Sequence, residues 1–399
     1  EGGWFDGDKI RFRSGYPESI GGWQRVSNNQ FIGTARKIYD FVTLTSQNLL
    51  FIGTEKKTFL ENAGTFSDIT PIRSTLSLGS NPVNTSGGAG SGVITVTTQT
   101  AHGAATGDFV TFASLTTTDG ITAAQLNIEH EITSIPSTTT FTVTTAGAAT
   151  SGTTAGGGSS GTAAFQIAIG INTTILGSGW SAGTWGRFTW GSASGSLAGS
   201  TLRLWAADNF GEDLIFNIAD GTIYYWDATN GTSTRAVALT SRTGASDVPV
   251  VARKILVSDV DRHCIAFGTN PITSGVQDPL LIRFSSQEST VDWTPTATNT
   301  AGDLRLSKGS EIITAIQTSR QILVWTDQSL YSMQFIGAPF TFGVSLIGDN
   351  TRIAGPNTAI AVNDIVFWMG QENFYLYDGR IQAIPCTVRD YVFSDMNNQ

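Results

Sequence analysis

The chain has 399 residues, a formal net charge of −9 and a pI near 4.8, with 45 glycines and 14% charged residues. Proteins that hold nucleic acid by its phosphates carry basic stripes, and the one local basic excess here, between Asp8 and Arg13, is typical of the solvated face of a strand. The Gly-, Thr-, Ser- and Phe-rich composition predicts an all-β protein with many tight turns. The sequence has no run of about 18 apolar residues, so no membrane-spanning helix is predicted.

One two-strand phrase occurs five times along the chain. It consists of an apolar strand, a polar turn and a second strand that carries aromatic or aliphatic residues, and its copies are Leu49–Leu60, Leu214–Trp226, Cys264–Phe284, Ile322–Met333 and Ile365–Gly379. The later copies begin roughly 40 to 60 residues apart, which is close to the period of four-stranded propeller blades. The apolar first strand is typical of a strand covered on both faces, and the alternating second strand of one that is half exposed.

This repeat predicts a β-propeller. Besides the five copies, the run Leu202–Ala207 is assigned to the inner strand of one further blade, which would contain Trp205, so we expect about six blades. Pairing between the two ends of the chain would close the ring. The alternative fold for the same hairpins is a two-sheet sandwich.

Residues 1–78 are predicted to begin the propeller and residues 163–399 to complete it. The segment between them, residues 79–162, differs in composition, because Lys and Arg are absent from Ser74 through Trp185. The last residues, up to Gln399, stop in mid-pattern, and the chain begins with Glu, so we expect a processed or partial product of a protein that continues further.

The segment 79–162 is predicted to be an inserted small β-rich domain. Glycine-rich runs at 87–92 and 156–161 open and close it, and such borders are suited to the hinges of an insertion. Apolar and polar residues alternate in three predicted strands, and one helical turn is expected between them; these elements are 93–97, 109–112, 141–144 and the turn near 121–127. A disordered low-complexity loop is the alternative, which the regular alternation disfavours.

The sequence contains no recognisable catalytic, cofactor-binding or metal-binding constellation, and we predict no site residue of these kinds and no cofactor. The three histidines, His102, His130 and His263, lack metal-like spacing, and we expect His102 to be a turn residue. Cys264 and Cys386 lie in apolar segments and are expected to be buried free thiols. The chain is therefore predicted not to be an enzyme.

Two patterns keep carbohydrate chemistry open as an alternative. The segment Arg283–Trp293 resembles the Asp-box turns of sialidase propellers, which are structural even in the enzymes. A retaining sialidase also needs an arginine cluster, a tyrosine nucleophile and a carboxylate, and nothing in the sequence assembles these. Trp180, Trp185 and Trp190 would stack on sugars if exposed, although their spacing of five residues also fits strand-and-turn packing.

Motifs in two stretches carry a family resemblance. The first stretch is Trp4–Arg13 followed by Pro17–Trp23; the second begins at Arg283 and includes Asp292–Pro295, Asn299–Asp303, Leu323–Asp327, Leu330–Gly337 and Phe374–Gly379. Together they resemble structural proteins of short-tailed, podovirus-like bacteriophages, in particular the tail nozzle (tubular protein B) and packaged-DNA-stabilisation proteins. The predicted insert is similar to the Thr/Gly-rich β modules of phage virion proteins.

The resemblance implies a structural virion protein of the tail, in which a homo-oligomeric ring, usually a hexamer, forms and gates the DNA-ejection channel at the distal end. The implied partners are other copies of the chain, the tail adaptor, tail fibre or spike proteins, genomic DNA that passes without sequence-specific binding, and the host cell envelope. The acidic balance agrees with a conduit, because basic contacts would hold the DNA. The alternatives are a receptor- or glycan-binding propeller, such as a lectin-like adhesin, and a sialidase-like hydrolase.

Overall fold

The computed structural model describes residues 8–22, 27–152, 155–172, 202–337, 340–394 and 396. Antiparallel strands dominate these residues, and they form five four-stranded blades, an eight-stranded sheet and a two-stranded hairpin. The all-β prediction is confirmed. No helix of the described part is both long and apolar enough to cross a membrane.

The first half of the described chain contains a hairpin, one blade and the insert. The hairpin pairs β1 (Ile10–Arg13) with β2 (Tyr16–Ser19). Blade 1 consists of β3 (Ala35–Val42), β4 (Asn48–Thr54), β5 (Thr58–Asn62) and β6 (Thr65–Asp68). The insert consists of β7 (Ile72–Gly79), β8 (Val83–Asn84), β9 (Val93–Thr97), β10 (Phe109–Ala113), α1 (Ala123–Leu126), β11 (Glu129–Ser137), β12 (Thr140–Thr144), β13 (Ala155–Gly156) and β14 (Gly161–Gln166).

The second half contains four blades. Blade 2 is β15 (Trp205–Phe210), β16 (Asp213–Ile218), β17 (Ile223–Trp226) and β18 (Val237–Ala238), with short 3-10 helices at Ala228–Asn230 and Leu239–Ser241. Blade 3 is β19 (Ala252–Val257), β20 (Cys264–Thr269), β21 (Leu281–Phe284) and β22 (Gly302–Arg305). Blade 4 is β23 (Ile312–Gln317), β24 (Ile322–Thr326), β25 (Ser329–Gly337) and β26 (Thr341–Asp349), and blade 5 is β27 (Ala359–Val362), β28 (Ile365–Met369), β29 (Phe374–Tyr377) and β30 (Ile381–Ala383), followed by α2 (Arg389–Ser394).

The five repeated phrases are the two central strands of the five blades. In each blade the strands pair in sequence order, so the phrase supplies the second and third of four strands. The second strand is buried along its whole length in blades 3 and 4, as in β20 and β24, because a blade there packs between two neighbours. The propeller prediction is confirmed, and the described residues form five blades, close to the expected count of about six.

The position of Trp205 differs from the prediction of a separate blade. The sequence assigned it to the inner strand of a separate blade, whereas β15 is the first strand of blade 2, with Trp205 opposite Ile218 of β16. Its ring packs against Gly53 of blade 1, where any side chain on residue 53 would place its Cβ 2.7 Å from the indole, and its Nε1 donates to the carbonyl oxygen of Thr54 at 2.8 Å. The apolar residues of this run therefore join blades 1 and 2 instead of building another sheet.

Four apolar cores hold the five blades together. Aromatic and aliphatic side chains from facing sheets meet between blades 1 and 2, 2 and 3, 3 and 4, and 4 and 5. The core between blades 1 and 2 includes Phe51 and Phe216, whose ring centroids are 4.9 Å apart, and the core between blades 4 and 5 includes the edge-on pair Trp325 and Trp368. Among the described residues no such core joins blade 5 to blade 1.

The insert is a single eight-stranded sheet with its own core. Its strand order is β13-β8-β9-β12-β11-β10-β14-β7, and its core packs Phe112, Phe141 and Phe165 together with Val and Ile side chains of the neighbouring strands. The predicted strands and helical turn are present as β9, β10, β12 and α1, and the side chain of Thr122 caps α1. Strand β11, which contains Pro136, was not anticipated.

The insert is joined to the blades through paired strands. The outgoing strand β7 and the returning strand β14 pair with each other from Gly79 and Gly161 to Ile72 and Gln166. The two glycine-rich runs lie inside the sheet, one between β8 and β9 and the other from β13 to the start of β14. They serve as turns, so a two-stranded ribbon connects the insert to blades 1 and 2.

Candidate functional site

The first strands of the blades surround one central cavity of about 380 Å³. Its wall is contributed by blades 1 to 4 and by the loop before blade 5: Lys37 and Tyr39 from blade 1, residues 204–209 at the start of blade 2, 253–257 from blade 3, 313–317 from blade 4, and Pro356 and Asn357 from the loop. Binding sites in proteins commonly occupy concave spaces of this size. The cavity on the propeller axis is therefore the first place to look for function.

A hydrogen-bonded group fills one side of the cavity. The Tyr39 hydroxyl lies 2.9 Å from Oδ1 of Asp208 and 2.6 Å from Oδ1 of Asn209, across the junction of blades 1 and 2. Asp208 also accepts the backbone N–H of Val257 in blade 3 at 2.8 Å. Burial raises the pKa of the Asp208 carboxyl and, with help from that carboxyl, the pKa of the Tyr39 hydroxyl. One carboxylate thus links the first strands of three blades.

Two lysines also line the cavity. Lys254 Nζ donates to the Thr314 hydroxyl at 3.1 Å and to the carbonyl oxygen of Ala315 at 2.5 Å, and burial lowers its pKa to about 8. Burial also lowers the pKa of Lys37, against the opposing attraction of Asp208. Nearby, Arg253 pairs with Asp220 of blade 2 at 2.8 Å and with Glu311 of blade 4 at 2.6 Å. Lys254 and Arg253 thus hold neighbouring blades together.

The cavity can bind a small polar molecule and is too small for a polymer passage. Its lining offers ammonium and guanidinium groups, two carboxylates and amides, and it includes no serine or cysteine that a base could activate. The major groove of a B-DNA duplex alone is about 12 Å wide. A cavity of about 380 Å³ is therefore too small to hold the duplex. Any channel for DNA has to lie between copies of the chain.

A second charged cluster joins the insert to the blades. Lys57, only 2% exposed, pairs with Asp68 at 2.9 Å and with Glu129 of β11. Arg235, which precedes β18, pairs with the same two carboxylates at 3.2 Å each. Burial alone would raise the pKa of Asp68, but Lys57 and Arg235 together lower it below its usual value. Gln166 of β14 also donates to Glu129, so the cluster connects blade 1, blade 2 and the insert.

The histidines and cysteines stand apart from both clusters. His102 lies in the loop between β9 and β10 of the insert, where its Nδ1 accepts the Ala104 N–H at 3.0 Å and its Nε2 lies 3.2 Å from the Ser137 carbonyl oxygen. His130 bonds the Leu126 carbonyl oxygen, and His263 is buried in blade 3. Cys264 is a buried free thiol as expected, whereas Cys386 is only half buried. Across the described ranges, no three His, Cys, Asp or Glu side chains are grouped so that they would hold a metal ion.

The Asp-box-like segment is structural. Arg283 is 1% exposed, and its guanidinium donates to backbone carbonyl oxygens of Asp247, Asn270 and Trp293. The Trp293 indole is also buried and donates to the Thr290 carbonyl oxygen at 2.9 Å. Both side chains are thus buried and hydrogen-bonded within the fold. Trp180, Trp185 and Trp190 lie outside the described residues.

The sequence pointed to neither the axial cavity nor the charged cluster at the insert. Their residues are far apart in the chain, with Tyr39 and Asp208 separated by 169 positions and Lys57 and Glu129 by 72. The period of the repeat was a usable signal for the cavity, because the first strands of all propeller blades meet at the axis. No comparable signal existed for the cluster at the insert.

Comparisons with known proteins leave the family open. No family model matches the chain, and no curated protein matches it. Among solved structures it is similar to a phage phi92 endosialidase, with a TM-score of 0.22 and 12% sequence identity over 90% of this chain. The chain spans 47% of that structure's length. A likeness at this TM-score carries no argument about fold or activity.

Proposed function

We propose that this propeller is a structural protein of a bacteriophage virion, and that it acts as the nozzle of a short tail. The observation that carries the proposal is where the family motifs lie in the fold. The motifs of the second stretch are the central strands β21, β24, β25 and β29 of blades 3 to 5, and residues 292–303, which lead into and begin β22. The described part of the first stretch includes the hairpin β1–β2, outside the blades. Most of the resemblance thus lies on the repeated core of the propeller.

The described clusters agree with a scaffold role. The charged side chains at the axis and at the insert are paired across blades, so they stabilise a rigid wall. With an axial cavity of about 380 Å³, the proposal requires a ring of copies, six in the nozzle family, that encloses DNA between them. The tail adaptor and the tail fibre or spike proteins would contact the outside of that ring, and its distal face would meet the host envelope.

A reconstruction of the intact particle tests the proposal. The expected result is density for this chain as a closed ring on the tail axis, around a lumen wide enough for duplex DNA or closed by a gate. Density as a peripheral spike or fibre would overturn the nozzle and favour the receptor-binding alternative. Retention of the isolated protein on a glycan array, without ring formation, would point the same way.

A further inference from the structure

Lys37 is the exception among the charged side chains at the axis, because no carboxylate of the described chain pairs with it. It lies on β3 of blade 1, half-buried in the wall of the axial cavity. Across the described ranges its ammonium group forms no hydrogen bond and no ion pair, and Nζ lies 5.9 Å from the centroid of the Tyr39 ring. Burial lowers the pKa of Lys37 more than the attraction of Asp208 raises it. The ammonium group has thus lost water without gaining a partner.

A second ammonium group lines the same cavity. Lys254 of β19 donates to the Thr314 hydroxyl and to the Ala315 carbonyl oxygen, which are both uncharged, and it forms no ion pair in the described part of the chain. An ammonium group has three N–H donors, so one donor of Lys254 remains beyond these two bonds. Burial lowers the pKa of Lys254, and the positive charge of Lys37 adds to this effect. The two lysines are therefore close enough to repel each other.

The carboxylates in the wall of the cavity do not offset this repulsion by direct contact. Both oxygens of Asp208 already accept hydrogen bonds: Oδ1 accepts from the Tyr39 hydroxyl and from the Asn209 N–H at 2.9 Å each, and Oδ2 accepts from the Val257 N–H at 2.8 Å. Asp259 is exposed to solvent, and among the described residues it forms no ion pair. The cavity thus has two ammonium groups for which the described wall provides no bound carboxylate.

The chain just before blade 2 cannot provide the missing negative charge. Residues 173–201, the longest segment outside the described residues, precede the cavity residues 204–209 and contain no Asp or Glu. Their side chains therefore carry no carboxylate that could pair with a lysine. An anion at this place has to come from another part of the chain or from a separate molecule.

Two side-chain amides add neutral donors to the wall. Gln317, at the end of β23, and Asn357, in the loop before blade 5, both line the cavity, and their amide groups form no hydrogen bond in the described part of the chain. Ligand pockets commonly combine a concave space of several hundred Å³ with a few polar groups that converge on it. The cavity of about 380 Å³ has this character, and its unpaired groups are cationic or amide donors.

We propose that the axial cavity binds a small dianion between Lys37 and Lys254. Each ammonium group donates a charge-assisted hydrogen bond to the ligand, and the amides of Gln317 and Asn357 supply further donors. A dicarboxylate and inorganic phosphate share this chemistry. Because the two lysines belong to blades 1 and 3, and Lys254 is bonded to blade 4, the bound ligand stabilises the arrangement of these blades. This inference concerns the propeller alone and does not depend on the nozzle role.

Calorimetry and thermal unfolding of the full chain test the proposal. Succinate and inorganic phosphate are the two probes, at constant ionic strength, and neutral succinamide is the control ligand. We expect at least one probe to bind saturably at one site per chain and to raise the unfolding temperature as its concentration increases, because it binds the folded state. Binding of succinate alone would identify a dicarboxylate site, and binding of phosphate alone an oxyanion site. Failure of both probes to bind, or equal binding of succinamide, would overturn the proposal.

Two lysine variants separate binding at this site from a general attraction of anions. Lys37→Met keeps the aliphatic stem and removes the charge. Lys308→Met is the matched control, because Lys308 pairs with the exposed Asp349 and does not line the cavity. We expect Lys37→Met to weaken binding of the probe at least about tenfold, as the loss of a hydrogen bond to a charged group does, and Lys308→Met to leave it unchanged. Equal losses in the two variants, or no loss in either, would contradict the site.

The stability of the ligand-free variant gives an independent readout. Removing a half-buried charge that has no partner costs the folded state nothing, so Lys37→Met should unfold at the same temperature as the unmodified protein or at a higher one. A lower unfolding temperature without ligand would show that the protein itself neutralises Lys37, and the proposal would then be wrong.

Discussion

His263 links the stability of blade 3 to pH. Its ring is fully buried, lies edge-on to Phe342 at 5.1 Å and places Nε2 3.0 Å from the Thr300 hydroxyl. Burial lowers its pKa from the ordinary 6.5 to about 4, because the apolar surroundings disfavour the charged imidazolium. In the unfolded chain the same ring takes up a proton near pH 6.5, so protonation favours unfolding.

We therefore expect the free energy of unfolding to fall as the pH decreases from about 6.5 to about 4, with a contribution from His263 on the order of 2 kcal/mol. Above pH 6.5 both states hold a neutral ring and this contribution is constant. His263→Gln keeps an amide that can hydrogen-bond Thr300 and removes the titration, so the stability of this variant should decline less over the same pH range. Urea unfolding at a series of pH values measures the two slopes, and equal slopes would contradict the assignment.

At the residue scale, the sequence predicts burial more reliably than it predicts which residues contact each other. Cys264 and the aromatic residues of the phrases lie where their apolar surroundings indicated. Trp205 was assigned to the right kind of strand and the wrong sheet, because an apolar run does not reveal which neighbour it will pair with. Arg283 is a further case, since its burial among backbone carbonyl oxygens depends on loops that close around it from three parts of the chain.

At the scale of elements, the attachment of the insert rests on a few buried charges. The two acidic residues of β11 next to blade 1 differ sharply in environment, although only His130 separates them. Glu129 pairs with the buried Lys57 and with Arg235, whereas Glu131 pairs with the half-exposed Lys56 at 3.6 Å and is itself 50% exposed. Removing one partner of a buried pair leaves an uncompensated charge, while an exposed pair contributes little.

Glu129→Ala should accordingly destabilise the protein by about 3 kcal/mol, and Glu131→Ala, its matched control, by less than about 1 kcal/mol. We also expect Glu129→Ala to speed hydrogen exchange in β7 and β14, where the insert meets the blades. Chemical unfolding and exchange measurements on both variants check this. Similar effects of the two substitutions would show that the cluster does not anchor the insert.

The elements that the sequence predicted correctly are those with a local signal. The strands β9, β10 and β12 were predicted from alternation over a few residues, and the turn at α1 was expected between them. β11 was missed because Pro136 interrupts it, and the glycine-rich runs were predicted to be hinges because composition alone cannot separate a hinge from a turn inside a sheet. Pairing of β7 with β14 joins residues more than 80 positions apart, which no local pattern encodes.

At the scale of the whole molecule, the period of the repeat was enough to predict a propeller. It was not enough to predict how the ring closes. Each of the four inter-blade cores continues a pattern visible in the phrases, from Phe51 in blade 1 to Trp368 in blade 5. Closure depends on contacts between the two ends of the blade series, and among the described residues no apolar core joins blade 5 to blade 1. The net charge of −9 is also a property of the whole molecule, and it determines how the protein interacts with other charged molecules at long range.

The proposed conduit wall, with its net charge of −9, should bind duplex DNA weakly. The acidic balance repels phosphates at long range, and Lys57, Arg253 and Lys254 are paired with carboxylates or carbonyl oxygens within the protein. We expect a dissociation constant no tighter than the nonspecific range of about 10⁻⁴ to 10⁻⁶ M at physiological salt, with equal values for two duplexes of unrelated sequence. Fluorescence anisotropy with labelled duplexes measures both quantities. A dissociation constant near 10⁻⁸ M for one of them, the range of specific binders, would contradict a wall along which DNA slides.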